Sequence, residues 1–217
     1  YAHQVAVEYF QKQLLGLKYP SVLKDYLIGK RQISRENIEF FKMGLSGEEW
    51  DGFLKYAKSK DLTPDDLLQA GLVVHSEEKQ SFFDRFRQRL MIPIFNLSQK
   101  PIAFGGRTLR KGEPAKYINS PETPLYSKSN VLYGLNFSRD AIRESGAAYI
   151  VEGYFDFISL WQAGVKNVVA SSGTAFTQQQ ARLLARFCDQ VYLFFDADSA
   201  GQNAALRSVD SLYDAGL

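Results

Sequence analysis

Sulfur and imidazole are scarce: one cysteine, Cys188, and two histidines, His3 and His75, in 217 residues. A structural zinc site needs four such ligands, so zinc is excluded from this chain. One cysteine cannot build a disulfide framework, and a reducing compartment, the cytoplasm, is expected. Cys188, between Phe187 and Asp189, reads as a small, partly buried residue. Also missing is any run of about eighteen apolar residues, so no membrane partner is expected. The start, YAHQVAVEYFQKQ, has neither an initiator methionine nor a signal-peptide pattern, and the end, SLYDAGL, stops without a tail. An internal fragment of a longer protein, monomeric by itself, is expected. Internal repeats and low-complexity segments are absent as well.

What is there is ordinary in bulk and uneven in detail. Hydrophobic residues make up 45%, a globular composition. The net charge of +2 hides a division. Residues 1–78 carry 10 Lys+Arg against 12 Asp+Glu, residues 79–128 carry 10 against 3, and residues 129–217 carry 6 against 9. A basic middle beside an acidic end suits a protein that holds a polyanion next to a metal cluster.

The first part reads as small helices. Val5, Tyr9, Phe10, Leu14 and Leu17 are spaced for an amphipathic helix over residues 1–17, and Pro20 interrupts it. Further helices are predicted over 21–29, after the cap Ser34, over 48–58 with Trp50, Phe53, Leu54 and Ala57 on one face, and after Thr63-Pro64. From Leu72 strands and turns take over. Residues 90–97 and 102–104 are predicted strands around the turn SQKP, KGEP is a further turn, and Tyr117-Ile118 is a short strand. After Ser129 the pattern becomes regular. Helix 138–145, strand 147–151, helix 154–163, strand 167–170, the turn SSGTAF, the helix capped by Thr177, strand 190–195 and a helix from Ala200 follow in order. Helices alternating with short apolar strands predict an α/β fold with a parallel sheet and crossover helices. Two domains are expected, residues 1–128 and a partial domain over 129–217.

The chemistry gathers at strand ends. Glu152 follows the apolar run Ala147 to Val151, Gly153 permits a tight turn, and Asp156 falls in the first turn of the next helix. The run VYLFF ends in Asp196-Ala197-Asp198, which puts two more carboxylates at the same sheet edge. Hard divalent ions take such oxygen ligands and keep room for phosphates; Asp198 as a mere helix cap is the plainer reading. In the basic segment, Arg85, Arg87 and Arg89 alternate with Phe82, Phe83 and Phe86. A positive groove with aromatic platforms holds single-stranded nucleic acid, although the phenylalanines also read as core.

The stretches EGYFD, SSGTA and FFDADSAG together resemble the TOPRIM domain of bacterial DnaG-type primases, a domain also found in topoisomerases and nucleases. Upstream, FFDRFRQRLMIPI, PIAFGGRTL and AKYINSPETPLYSKSNVLYGL resemble the primase-specific segment that precedes it. The resemblance spans the whole chain. It implies the catalytic core that lays RNA primers on a single-stranded DNA template from ribonucleoside triphosphates. It implies Glu152 and Asp156 as catalytic acids, and Glu152, Asp196 and Asp198 as ligands of Mg²⁺ or Mn²⁺. It implies Arg31, Arg107, Lys116 and Lys128 on the nucleotide- and template-binding surface; the alternation with phenylalanines adds Arg85, Arg87 and Arg89, and Asn119 either hydrogen-bonds sugar or phosphate oxygens there or shapes its loop. Replicative helicase and single-stranded DNA-binding protein are implied as partners of the full-length protein. Ala197 stands where the family often has Gly. The family's acidic site continues beyond the position of Leu217, and its zinc-binding domain lies before that of Tyr1. A single-stranded DNA-binding module and a TOPRIM nuclease or topoisomerase are the competing readings.

Overall fold

A computed structural model describes residues 1–16, 21–110, 112–172 and 176–217. The predicted Leu17 and Pro20 positions, Lys111 of KGEP and residues 173–175 of SSGTAF lie outside the described residues. The chain divides into two compact units, Tyr1–Ile94 with Lys100–Tyr126, and Phe95–Gln99 with Ser127–Leu217.

In the first unit, helix α1 (Ala2–Leu15) buries Val5, Tyr9, Phe10 and Leu14, as their spacing requires. Val22–Lys30 follows as a π-helix, then α2 (Arg35–Phe40), capped by the Ser34 side chain. The two-residue strand β1 (Gly44–Leu45) precedes α3 (Gly52–Lys58) and α4 (Pro64–Gln69). A hairpin of β2 (Val73–Ser76) and β3 (Ser81–Asp84) stands apart from a second sheet made of β1, β4 (Arg89–Phe95), β5 (Pro101–Thr108) and β6 (Tyr117–Asn119), in the order β1-β4-β5-β6. Phe10 meets Phe104 edge-on at 5.3 Å in a core shared with Phe53, Leu67 and Phe86. Phe86 therefore belongs to the core rather than to a stacking surface.

His3 is 4% exposed in this core. Burial lowers its pKa from 6.5 to about 4, against the opposing pull of a hydrogen bond to the Ala70 backbone. The unfolded chain thus takes up the proton more readily than the folded one. Stability from His3 is complete above pH 6.5 and is lost as the pH falls toward 4, by up to about 3 kcal/mol. Urea midpoints at pH 7 and pH 4.5 for the parent and for His3→Phe isolate this contribution: the difference between the two proteins should change with pH. A constant difference would refute it.

In the second unit, α5 (Leu135–Ser145) leads into a parallel sheet of β7 (Ala147–Val151), β8 (Val168–Ala170) and β9 (Gln190–Leu193), ordered β8-β7-β9. Helices α6 (Tyr154–Gln162), α7 (Gln178–Leu184) and α8 (Ser199–Tyr213) alternate with these strands. The α/β expectation is met. Helix α5 starts three residues earlier than its periodicity predicts, because Gly134 adopts a left-handed N-cap (φ 84) against Phe157. A β-carbon there would lie 2.0 Å from that ring, so only glycine fits. Cys188 is buried, and burial pushes its thiol pKa up, in keeping with a structural residue.

Two helical predictions need correction. The segment over 21–29 winds as a π-helix, with Arg31 N–H reaching the Tyr26 carbonyl five residues back. Propensity does not distinguish that winding from an α-helix. The helix predicted over 48–58 begins only at Gly52, and Trp50 is 64% exposed instead of lying on its apolar face. The cause is Asp84, whose carboxylate accepts from Phe53 N at 2.8 Å and Leu54 N at 3.0 Å and so fixes the first turn there.

Candidate functional site

The parallel sheet brings the acidic residues together by register. Ile150 pairs with Leu193, so β7 and β9 end side by side. One step on, Phe194 N–H reaches the Ile150 carbonyl at 2.8 Å. Beyond that, Asp196 N–H donates to Glu152 Oε1 at 3.0 Å. Asp198 is the N-cap of α8, and its Oδ1 accepts from Gly201 N at 2.8 Å. The plainer reading of Asp198 as a cap is thus realised in the geometry, which leaves its other oxygen for further work. Asp196 and Asp198 are exposed, and Glu152 is half-buried. Asp156 folds back instead, its Oδ2 accepting from Gly153 N at 3.0 Å and pinning the turn that presents Glu152.

A glycine that the sequence reading passed over completes this corner. A β-carbon at Gly201 would lie 2.2 Å from the Asp196 carbonyl oxygen and 2.9 Å from Glu152 Oε1. Helix α8 can approach the strand ends only because position 201 has no side chain. The available signal was its place three residues after Asp198, at the third position of the helix.

Lys128 opens a 3₁₀ turn, Lys128–Asn130, whose backbone is held by α7. The Gln180 amide, fully buried, donates to the Lys128 carbonyl at 3.1 Å and the Val131 carbonyl at 2.8 Å, and Thr177 Oγ1 donates to the Ser129 carbonyl at 2.6 Å. Sequence reasoning assigned Thr177 only its cap and gave Gln180 no role.

The basic residues of the other unit fall into distinct environments. Arg31 Nε donates to Tyr26 Oη at 3.1 Å, and Arg107 Nη1 donates to Tyr117 Oη at 2.9 Å. Both guanidinium groups also approach the Tyr26 ring, at 5.6 and 5.5 Å, so the π-helix unites two arginines that lie far apart in sequence. The Arg87 guanidinium carbon lies over the Trp50 ring, 4.0 Å from its centroid, and Arg87 donates to the Asp84 carbonyl. Arg85 is half-buried, and among the described residues its Nε has no hydrogen-bond partner. Lys116 is exposed, and Asn119 is half-buried in β6 opposite Gly105. Arg89 is the outlier at 7% exposure. Its Nη1 donates to the carbonyls of Gly106 and Ala115, and its guanidinium pairs with Glu113 at 3.7 Å, so it braces β4 against β5 and the turn beyond.

Residues 9–139 match the family model for the DNA primase catalytic core, N-terminal domain. The chain belongs to the DnaG-type primase core family. Residues 149–217 match a Toprim-like model. The DNA primase of Synechococcus elongatus is 42% identical over 213 residues, which cover 97% of this chain and 30% of that protein. A solved structure of the Aquifex aeolicus primase, comprising zinc-binding and RNA polymerase domains, is similar with a TM-score of 0.90 at 33% identity, covering all of this chain and 52% of that one. A solved structure of the DnaG primase catalytic domain bound to ssDNA is similar with a TM-score of 0.84 at 33% identity, covering 97% and 64%. The chain spans about a third of the length of the curated primases it matches.

Membership of this family implies a divalent metal. Among the described residues no group of three or more His, Cys, Asp and Glu side chains is gathered to hold an ion. The donors nevertheless suit Mg²⁺ in kind. That ion binds through one or two carboxylates, keeps its waters and takes substrate phosphates as remaining ligands. Asp196 and Asp198, both exposed oxygen donors two residues apart, meet that requirement without a closed cage. Among the described residues no helix is long and apolar enough to cross a membrane.

Proposed function

We propose that this chain is part of a primase that makes short RNA primers on single-stranded DNA by metal-dependent nucleotidyl transfer. The observation that carries the reading is the Asp196 N–H to Glu152 contact, which joins the two acidic motifs at one sheet edge. Asp196 and Asp198 would hold Mg²⁺ or Mn²⁺, which when bound neutralises charge on triphosphate oxygens. The primer 3′-hydroxyl forms a bond to the α-phosphorus of the incoming nucleotide, and the bridging α–β bond breaks to release pyrophosphate. Glu152 Oε2 receives the hydroxyl proton, since Oε1 is already engaged by the Asp196 amide. Asp156 holds the Gly153 turn and acts through Glu152's position.

Template DNA lies on the arginine surface of the first unit, where Arg31, Arg107 and Arg87 present guanidinium groups on aromatic rings. Lys116, Asn119 and Arg85 extend the nucleotide- and DNA-contacting set, and Lys128, at the junction of the proposed domains 1–128 and 129–217, joins them. In the full-length protein, replicative helicase and single-stranded DNA-binding protein deliver this activity to the cytoplasmic replication fork.

Product analysis tests the proposal. The full-length protein, given a single-stranded template and labelled ribonucleotides, should yield short RNA only when a divalent cation is supplied. DNA cleavage without RNA would replace the reading with that of a nuclease. Template binding with neither product would leave a binding module.

A further inference from the structure

We propose that Asp84 is a positioning residue for template binding, a buried hub that fixes Trp50 and Arg87 as one rigid surface platform. The inference rests on reading Arg87 as a DNA contact and gives a role to Asp84, the residue of the FFDRFRQRLMIPI stretch that its arginines and phenylalanines overshadow. Asp84 closes β3 and is 5% exposed. Three of its groups act in three directions. Its carboxylate takes the Phe53 and Leu54 amides and so caps α3 from outside that helix. Among the described residues Asp51, which occupies the N-cap position itself, makes no side-chain capping bond; it pairs with Lys55 at 2.9 Å instead. The Asp84 amide donates to the Trp50 carbonyl at 2.7 Å, and the Asp84 carbonyl accepts from Arg87 Nη1.

The result is a surface held from beneath. Arg87 lies 4.0 Å over the Trp50 ring and 5.2 Å from that of Phe83, and the two rings meet edge-on at 5.6 Å. Burial lowers the Arg87 pKa most, the Asp84 carboxylate raises it, and Arg110 and Arg89 lower it again by repulsion. Arg87 and the exposed Arg110, like charges near one another on a fixed surface, suit a phosphate chain. A flexible arginine would lose rotamer freedom on meeting a phosphate; one already stacked and hydrogen-bonded has less to lose. The ionised carboxylate also carries a cost. Burial pushes its pKa up to about 6, while the two amides pull it back. A group kept at that cost fits a structural demand at both ends of the hub.

The test is a double-mutant cycle in the full-length protein, with fluorescein-labelled oligo(dT) as the probe. Arg87→Ala should weaken binding about tenfold and reduce the salt slope by about one. Asp84→Asn should weaken it about fivefold in the parent and leave affinity unchanged in the Arg87→Ala background, the signature of action through that residue. The Trp50 fluorescence, taken as the difference between each protein and its Trp50→Phe counterpart, should become more accessible to acrylamide in Asp84→Asn. Additive losses, or unchanged quenching, would overturn the hub. An inert Arg87→Ala would instead sink the reading of Arg87 as a DNA contact, and the hub's role in binding with it. Should Asp84→Asn fail to fold, Arg87→Lys interrogates the hub from the surface. It keeps the charge and loses the planar stack, so most of the affinity should go; binding equal to the parent's would overturn the proposal.

Discussion

Primer synthesis by the full-length protein should fall at least about a thousandfold when Asp196 and Asp198 are both replaced by alanine, with template binding within about twofold of the parent. Both carboxylates are exposed and sit in the second unit, whereas Arg31, Arg87 and Arg107 belong to the first. Among the described residues, the structural load on these carboxylates is the bond from Gly201 N to Asp198. Losing an N-cap costs about 1 kcal/mol, enough to lower a melting temperature and confuse the result. Asp198→Asn separates the two roles, because asparagine caps a helix as well as aspartate but carries no charge for a cation. It should retain the parent's melting temperature and lose synthesis as fully as Asp198→Ala. Activity surviving in Asp198→Asn would reduce Asp198 to a cap and remove it from the metal site.

Gly201→Ala should be nearly as damaging although it removes no functional group. The new methyl would meet the Asp196 carbonyl oxygen at 2.2 Å, and backbone cannot swing aside as a flexible side chain does. Helix α8 must retreat, which strains the Asp198 cap and draws Asp198 away from the strand ends. Overpacking of this kind costs about 1–3 kcal/mol. A displacement of about 1 Å at a reacting centre costs on the order of a hundredfold in rate. Thermal unfolding and primer synthesis together measure the effect. A Gly201→Ala protein with parental activity would show that the close approach of α8 has no bearing on the site.

Why these residues were unequally legible follows from the range of the forces involved. The β–α alternation after Ser129 was readable because continuous apolar strands, the Thr177 cap and the glycine turns are local signals. The shared sheet edge of Glu152 and the Asp196–Asp198 pair was legible because the ends of parallel strands lie side by side, a rule that needs no coordinates. Gly201, Gln180 and Asp84 were not found, since each acts on backbone 30 to 52 residues away or on a packing distance. Arg89 illustrates the converse. Its charge advertised a ligand contact, but two carbonyls and Glu113 use the guanidinium to brace the fold. Trp50 fitted a helical stripe in sequence, until a carboxylate 34 residues later decided where that helix begins.

The path of the chain through Phe95–Gln99 bears on how the molecule can be divided and made. That segment leaves β4, most of which belongs to the first unit, yet its own contacts are in the second. The Phe95 ring meets Phe137 at 5.7 Å, the Leu97 carbonyl accepts from Arg139 at 3.1 Å, and Leu97 packs against the core of that unit. A piece cut at Ser127 would therefore lack one of its own walls. The half that carries Glu152, Asp196 and Asp198 is not a portable cassette to be excised at the natural seam. On the ribosome, too, its closure draws on a segment that emerged well before the rest of that half was synthesised.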